Sequence, residues 1–195
     1  MPKDIPVSNG SLLLNFDSDY QIRDVYFPFI GQENHTNGCP FRVGVWVDGR
    51  YSWIGPEWTK DLRYHDDSLV TDVRLRHEAL QVELRCSDVV DVDLNVYIKK
   101  VEVINHQDAP RRVRFFFHHD FYLYGNDIGG TAYFDPRSCS IIHYKVHRYF
   151  LISCWAHERW GVQHFTCGKR GAADDFGPGK EAERGELNGS PSAWG

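Results

Sequence analysis

The chain is 195 residues long, 42% hydrophobic and 14% aromatic, with a formal net charge of −5. That length supports one substantial core, burying roughly 70% of the extended-chain surface, and the acidic balance leaves no basic field to replace phosphate counterions, which argues against nucleic-acid binding. No apolar run approaches the ~20 residues that span a bilayer, and the opening M-P-K-D-I-P has no hydrophobic signal region, so the sequence predicts a cytoplasmic protein with no membrane partner.

The first distinctive segment runs from Asp24 to Thr36. Val25, Tyr26, Phe27, Phe29 and Ile30 form an aromatic, β-favouring run that ends at Gly31. Five polar side chains follow: Gln32, Glu33, Asn34, His35 and Thr36. A greasy strand that delivers a dense polar loop is one way a rigid scaffold presents a contact surface. A solvated inter-strand loop is the plainer reading of the same residues.

Period-two alternation dominates the rest of the chain. Val43, Val45 and Val47 alternate up to Asp48-Gly49, and Tyr51 and Trp53 resume beyond it. This predicts a β-hairpin on a favoured Asp-Gly turn. Val73 and Leu75 precede a turn near 77–79, after which Leu80, Val82, Leu84 and Cys86 form an amphipathic strand. Leu94, Val96 and Ile98 alternate, but Val101 and Val103 continue in the opposite phase. That slip at Lys99-Lys100 predicts a bulge or a change of strand partner. A long aromatic strand is expected over 111–124, two strands over 140–155 turned near 146–148, and one more over 161–167. Helical periodicity is confined to a turn or two in 180–186. The expected fold is therefore all-β, an antiparallel β-sandwich with little helix. Residues 1–168 are expected to form the sandwich domain, and 169–195, rich in Gly, Ala, Glu and Asp, an irregular tail or linker and not sheet.

Candidate sites are few. His118 and His119 are adjacent on a strand and so point to opposite faces, which argues against a shared metal. His143 and His147 are separated by the expected turn. No metal or other cofactor is predicted. The five cysteines, Cys39, Cys86, Cys139, Cys154 and Cys167, are widely spaced without a C-x-x-C pair, and read as reduced thiols. Trp46, Trp53, Trp58, Trp155 and Trp160 could offer sugar platforms, but most are expected in the core. The segment 120–127 is a second aromatic-to-polar transition, where Tyr124 and Asn126 suit sugar hydroxyls or an inter-domain contact equally. Glycoside hydrolysis normally uses two flanking carboxylates. Glu33 and Glu57 are the best-placed acids, yet their spacing does not make them a pair. No catalytic residue is assigned.

Four stretches closely resemble the amino-terminal domain of bacterial and archaeal family 15 glycoside hydrolases, the glucoamylase and trehalase-like enzymes. They are N-G-S-L-L-L-N-F-D (9–17), Y-F-P-F-I-G-Q-E-N-H-T (26–36), F-F-F-H-H-D-F-Y-L-Y-G-N-D (115–127) and T-A-Y-F-D-P (131–136). The resemblance implies a large antiparallel sandwich of the supersandwich, galactose-mutarotase-like type. It also implies a helical linker leading to an (α/α)6 barrel that carries the catalytic glutamates of an inverting α-glucosidase. No position here matches the barrel motifs, so this chain alone is expected to be inactive. Its expected partner is such a barrel, in the same or a neighbouring chain, with an α-glucan or trehalose as the related carbohydrate. Gln32, Glu33, Asn34, His35, Tyr124 and Asn126 are the expected substrate-binding or inter-domain contacts. An independent carbohydrate-binding module is the alternative.

Overall fold

The structure is a computed structural model and describes residues 4–169 and 177–194. The first sheet joins β1 (Ile5–Ser8), β2 (Leu13–Phe16) and β3 (Ile22–Tyr26) as an antiparallel meander. The register of β2 and β3 shifts between Asn15 and Phe16. β4 (Arg42–Val47) and β5 (Arg50–Trp53) form the predicted hairpin. Asp48 and Gly49 both take positive φ, 53° and 78°, as a two-residue turn matching the strand twist requires.

β6 (Thr59–Tyr64), β7 (Thr71–His77), β8 (Val82–Val90) and β9 (Tyr97–Asn105) form a four-stranded antiparallel sheet in sequence order. Along β7 and β8 the alternate residues Val73, Leu75, Val82, Leu84 and Cys86 are buried, as their period-two pattern dictates. They join Ile5, Val7, Leu14, Phe16 and Val25 of the first sheet and Val43, Val45 and Val47 of β4 in one hydrophobic cluster. Each such fully buried side chain stabilises the fold by about 1.5–3 kcal/mol. The result is a sandwich, with these sheets supplying its opposed inner faces.

β9 differs from expectation. Its ladder with β8 is continuous from Val82↔Asn105 to Val90↔Tyr97, without a bulge. The apparent slip arises because Lys99 occupies an inward position, where its Nζ lies 2.8 Å from the carboxylate of the fully buried Asp88. Ile98 and Val96 lie on the solvent side. The hydrophobic phase in the sequence therefore does not mark the core face there.

β10 (Val113–His118) pairs with β4 and is shorter than the strand expected over 111–124. Beyond His118 the chain leaves the sheet: the Tyr122 N–H donates to the His35 carbonyl at 2.8 Å, and a 3-10 turn follows at Leu123–Gly125. β11 (Thr131–Asp135), β12 (Ser140–Lys145) and β13 (Arg148–Ile152) form a further antiparallel sheet, with the β12–β13 turn at Val146-His147 as predicted. β14 (Trp155–Ala156) and β15 (Arg159–Trp160) make a small hairpin that the sequence reading missed. The strand expected over 161–167 is not formed. That stretch makes only scattered backbone bonds, such as Val162 N–H to the Cys139 carbonyl and Cys167 N–H to the Ser190 carbonyl.

In the tail, α1 (Pro178–Arg184) ends at Gly185 with φ 83°, a left-handed cap that favours glycine. The expectation that the tail holds no sheet is corrected by β16 (Ser192–Trp194), which adds to the free edge of β11. The remaining tail residues, 170–176 and 195, lie outside the described residues.

Candidate functional site

Two loops far apart in sequence meet beside the β11–β13 sheet. The first is 27–36, delivered by β3; the second is 119–126, which follows β10. Arg148, at the start of β13, reaches Glu33 with a bidentate pair of hydrogen bonds, both 2.9 Å, across 115 residues of chain. The Arg148 guanidinium also lies 5.3 Å from the centre of the Tyr124 ring. Its hydrogen bonds hold the Glu33 carboxyl below the usual carboxylate range, and the Arg148 pKa is raised in return. A carboxylate kept ionised in this way is unsuited to act as a general acid.

Asn34 and His35 point inward. The Asn34 side chain donates to the Asp24 carboxylate at 2.8 Å, and its oxygen accepts from the Thr36 N–H at 3.1 Å and the Thr36 hydroxyl at 2.9 Å. It therefore sets the shape of its own loop. His35 is fully buried. Its Nε2 lies 2.6 Å from the Phe27 carbonyl, which only an N–H donor satisfies. Its Nδ1 accepts the Tyr124 N–H at 3.4 Å. These partners select the neutral Nε2–H tautomer, consistent with a pKa lowered by burial. Phe150 and Tyr124 pack edge-on against the ring. His35 thus joins the two loops instead of facing a ligand.

Asn126 accepts a hydrogen bond from Lys145, whose ammonium also donates to the Leu123 carbonyl at 3.1 Å. Gln32, Tyr124 and Asn126 are exposed, together with Phe29 and Ile30 on the first loop and Ile128 just beyond the second. Tyr124 has φ 58°, a left-handed conformation held by this packing. The structure thus brings Glu33, His35, Tyr124 and Asn126 into one cluster. Arg148 and Lys145, which bind it together, were missed. Their only signal in the sequence is a basic residue on each side of a predicted turn.

Other surfaces bear on function. The outward face of β11, β12, β13 and β16 carries Thr131, Tyr133, Ile142, Tyr144, Tyr149, Leu151 and Trp194, because directly paired residues share a face. Tyr144 stacks on Tyr149 at 5.5 Å between ring centres. An open cleft of about 640 Å³ is lined by Gln21, Arg42, Tyr51, Trp53, Glu57 and Glu183. Glu57 lies there, 3.5 Å from His77, whereas Glu33 lies in the loop cluster with Arg148.

Among the tryptophans, Trp58 is buried and donates to the Ser52 hydroxyl at 3.0 Å. Trp46 and Trp53 are half-buried. Most of the tryptophans were expected in the core, but Trp155 and Trp160, on the small β14–β15 hairpin, are 70% and 64% exposed. Among the described residues no group of His, Cys, Asp and Glu has the geometry of a metal site, no cysteine is paired, and no helix is long and apolar enough to cross a membrane.

No family model matches the chain, and no curated protein matches it. Among solved structures, a bacterial glucoamylase crystallised in complex with acarbose is similar, with a TM-score of 0.62 at 11% sequence identity. The match covers 77% of this chain and 24% of that one. At this identity the likeness shows a shared fold. The chain spans about a quarter of the length of that glucoamylase.

Proposed function

We propose that this chain is a non-catalytic β-sandwich domain of a family 15 α-glucosidase, glucoamylase- or trehalase-like. In this reading it docks on the (α/α)6 catalytic barrel, stabilises it, and walls one side of the substrate entrance. The observation that carries the reading is the clamped pair of loops. Glu33–Arg148, Asn34 and His35 use their hydrogen-bonding capacity inside the domain, which holds Phe29, Ile30, Gln32, Tyr124 and Asn126 in fixed exposed positions. A preformed rim of aromatic, aliphatic and amide groups loses little entropy on association. The glucoamylase that shares the fold extends well beyond the part covered by this chain, in keeping with a domain that works beside another. The test is association in trans. Mixed with the separately produced barrel of a family 15 enzyme, the chain should co-elute as a complex and raise the barrel's melting temperature. Two independent peaks, with an unchanged melt, would remove the docking role.

A second reading, an independent carbohydrate-binding module, is favoured by the outward face of β11–β13 and β16. Stacked tyrosines with a tryptophan on that face suit the apolar faces and hydroxyls of neutral sugars. Titration calorimetry with maltooligosaccharides and trehalose tests it. Absence of heat at about millimolar ligand would eliminate this module.

A further inference from the structure

β9 is the last strand of its sheet, and among the described residues no strand pairs with its outer side. An open edge nine residues long and regular in its pairing is a template for another strand. The direction of its free groups follows from the ends of the β8–β9 ladder. The His106 N–H donates to the Gln81 carbonyl at 3.0 Å, and the Asp91 N–H to the Val96 carbonyl at 2.9 Å. In an antiparallel ladder the residues that exchange hydrogen bonds alternate with those that do not. The even-numbered residues of β9 therefore bond to β8. The N–H and C=O groups of Lys99, Val101 and Val103 point out of the sheet edge.

We propose that this edge pairs with the same edge of a second copy of the chain, antiparallel about a two-fold axis at Val101, and so joins two four-stranded sheets into one. Three features select that partner and that register. Val101 is the middle residue of β9 (Tyr97–Asn105), so pairing about it overlaps the whole strand. Lys99, Val101 and Val103, whose backbone groups are free, then face Val103, Val101 and Lys99 of the copy in hydrogen-bonded pairs, each contributing about two backbone hydrogen bonds. Finally, Lys100 on the solvent face lies opposite Glu102 of the copy, and Glu102 opposite Lys100. A two-fold interface must be self-complementary, and this one is. A slip of two residues either way sets Lys100 against Lys100 or Glu102 against Glu102. The same register places Ile98, 51% exposed, opposite Ile104 of the copy.

Within one chain Lys100 and Glu102 already pair at 2.6 Å. That exposed contact is worth little and need not be lost, because each side chain keeps an opposite charge on both sides. Lysine on an edge strand often serves to repel other edges. Here the glutamate two residues away converts that repulsion into a register-specific attraction.

The experiment is sedimentation equilibrium in reducing, low-salt buffer up to about millimolar chain. The unmodified protein should form a reversible dimer. Lys100→Glu and Glu102→Lys should each weaken it about tenfold or more, since two attractive contacts become repulsive. Mixing these two variants should restore association as a heterodimer, and the K100E/E102K double variant should dimerise again. Hydrogen exchange should show the amides of Lys99, Val101 and Val103 protected in the dimer and released in Lys100→Glu, with circular dichroism unchanged. A monomer at every concentration would overturn the proposal, as would a dimer indifferent to the single variants or a mixture that fails to associate.

Discussion

Asp88 is fully buried on β8. It accepts hydrogen bonds from Tyr20 at 2.6 Å, Thr71 at 2.8 Å and Tyr97 at 2.5 Å, beside the Lys99 ammonium at 2.8 Å. Burial raises the pKa of the Tyr20 and Tyr97 phenols well above the usual value, so both remain donors. Removing one charge of a buried pair strands the other. Asp88→Asn is expected to lower stability in urea denaturation by about 3–5 kcal/mol, and the D88N/K99M pair to recover part of that loss. An Asp88→Asn variant as stable as the parent would mean that the pair is not buried as described. A second residue-scale prediction concerns pH. His119 lies parallel to the rings of Phe117 and Phe121, and burial lowers its pKa to about 3, and that of His143 to about 4. In the unfolded chain both titrate near about 6.5. Below that pH the unfolded state binds protons that the folded state refuses. Stability is therefore complete above the unfolded value and falls as pH drops toward the folded ones. The depressed Glu33 carboxyl acts in the same direction at lower pH, its contribution being lost as pH falls through its folded value. The urea midpoint should fall between about pH 7 and about pH 5, and His119→Phe should flatten the slope. Equal slopes for the variant and the parent would count against a neutral His119 shielded between Phe117 and Phe121.

At the scale of the element, the β4–β5 hairpin depends on a close approach. Gly44 faces Trp53 across the ladder, and the Tyr51 side chain lies over it. A Cβ added at Gly44 would stand 1.8 Å from the Tyr51 hydroxyl oxygen. Gly44→Ala therefore forces the ring or the strand to move, at a cost of about 1–3 kcal/mol. Thermal melts should show a lower midpoint with the same secondary structure, and an unchanged melt would mean that Tyr51 sits elsewhere. The hairpin was readable because Asp48-Gly49 stands between two alternating runs. β7 and β8 were readable because their buried residues alternate without exception. β9 was misread in phase because its inward row contains a lysine, and hydropathy does not reveal that a carboxylate waits on the neighbouring strand. β16 escaped notice because a three-residue strand takes its stability from the edge it joins, not from its own pattern.

For the whole molecule, burial orders the reactivity of the cysteines. Cys86 lies in the core cluster, and burial pushes its thiol pKa up. Cys167 is buried, Cys39 and Cys139 are half-buried, and Cys154 is exposed. Under native conditions an alkylating reagent followed by mass mapping should modify Cys154 readily and leave Cys86 untouched until denaturant is added. Comparable labelling of Cys86 and Cys154 would contradict the sandwich core. The loop cluster also belongs to this scale. Its segments were recognisable one at a time as aromatic runs ending in polar residues, but their meeting was not. Glu33 and Arg148 are 115 residues apart, and their pairing exists only because the fold brings the loop after β3 to the start of β13.

The all-β character of the protein, most of its long strands and its main hairpin turns are legible in the amino-acid sequence. Those properties follow from local alternation and turn chemistry, which act within a few residues. Which polar groups face inward depends on partners that only the folded chain brings together. Asn34, His35, Lys99 and Lys145 are polar residues of a kind that ordinarily faces water, yet each points into the fold, because a partner distant in sequence supplies the hydrogen bond or opposite charge that makes burial tolerable. The same folding left Gln32, Tyr124 and Asn126 outside on a rim already braced from within.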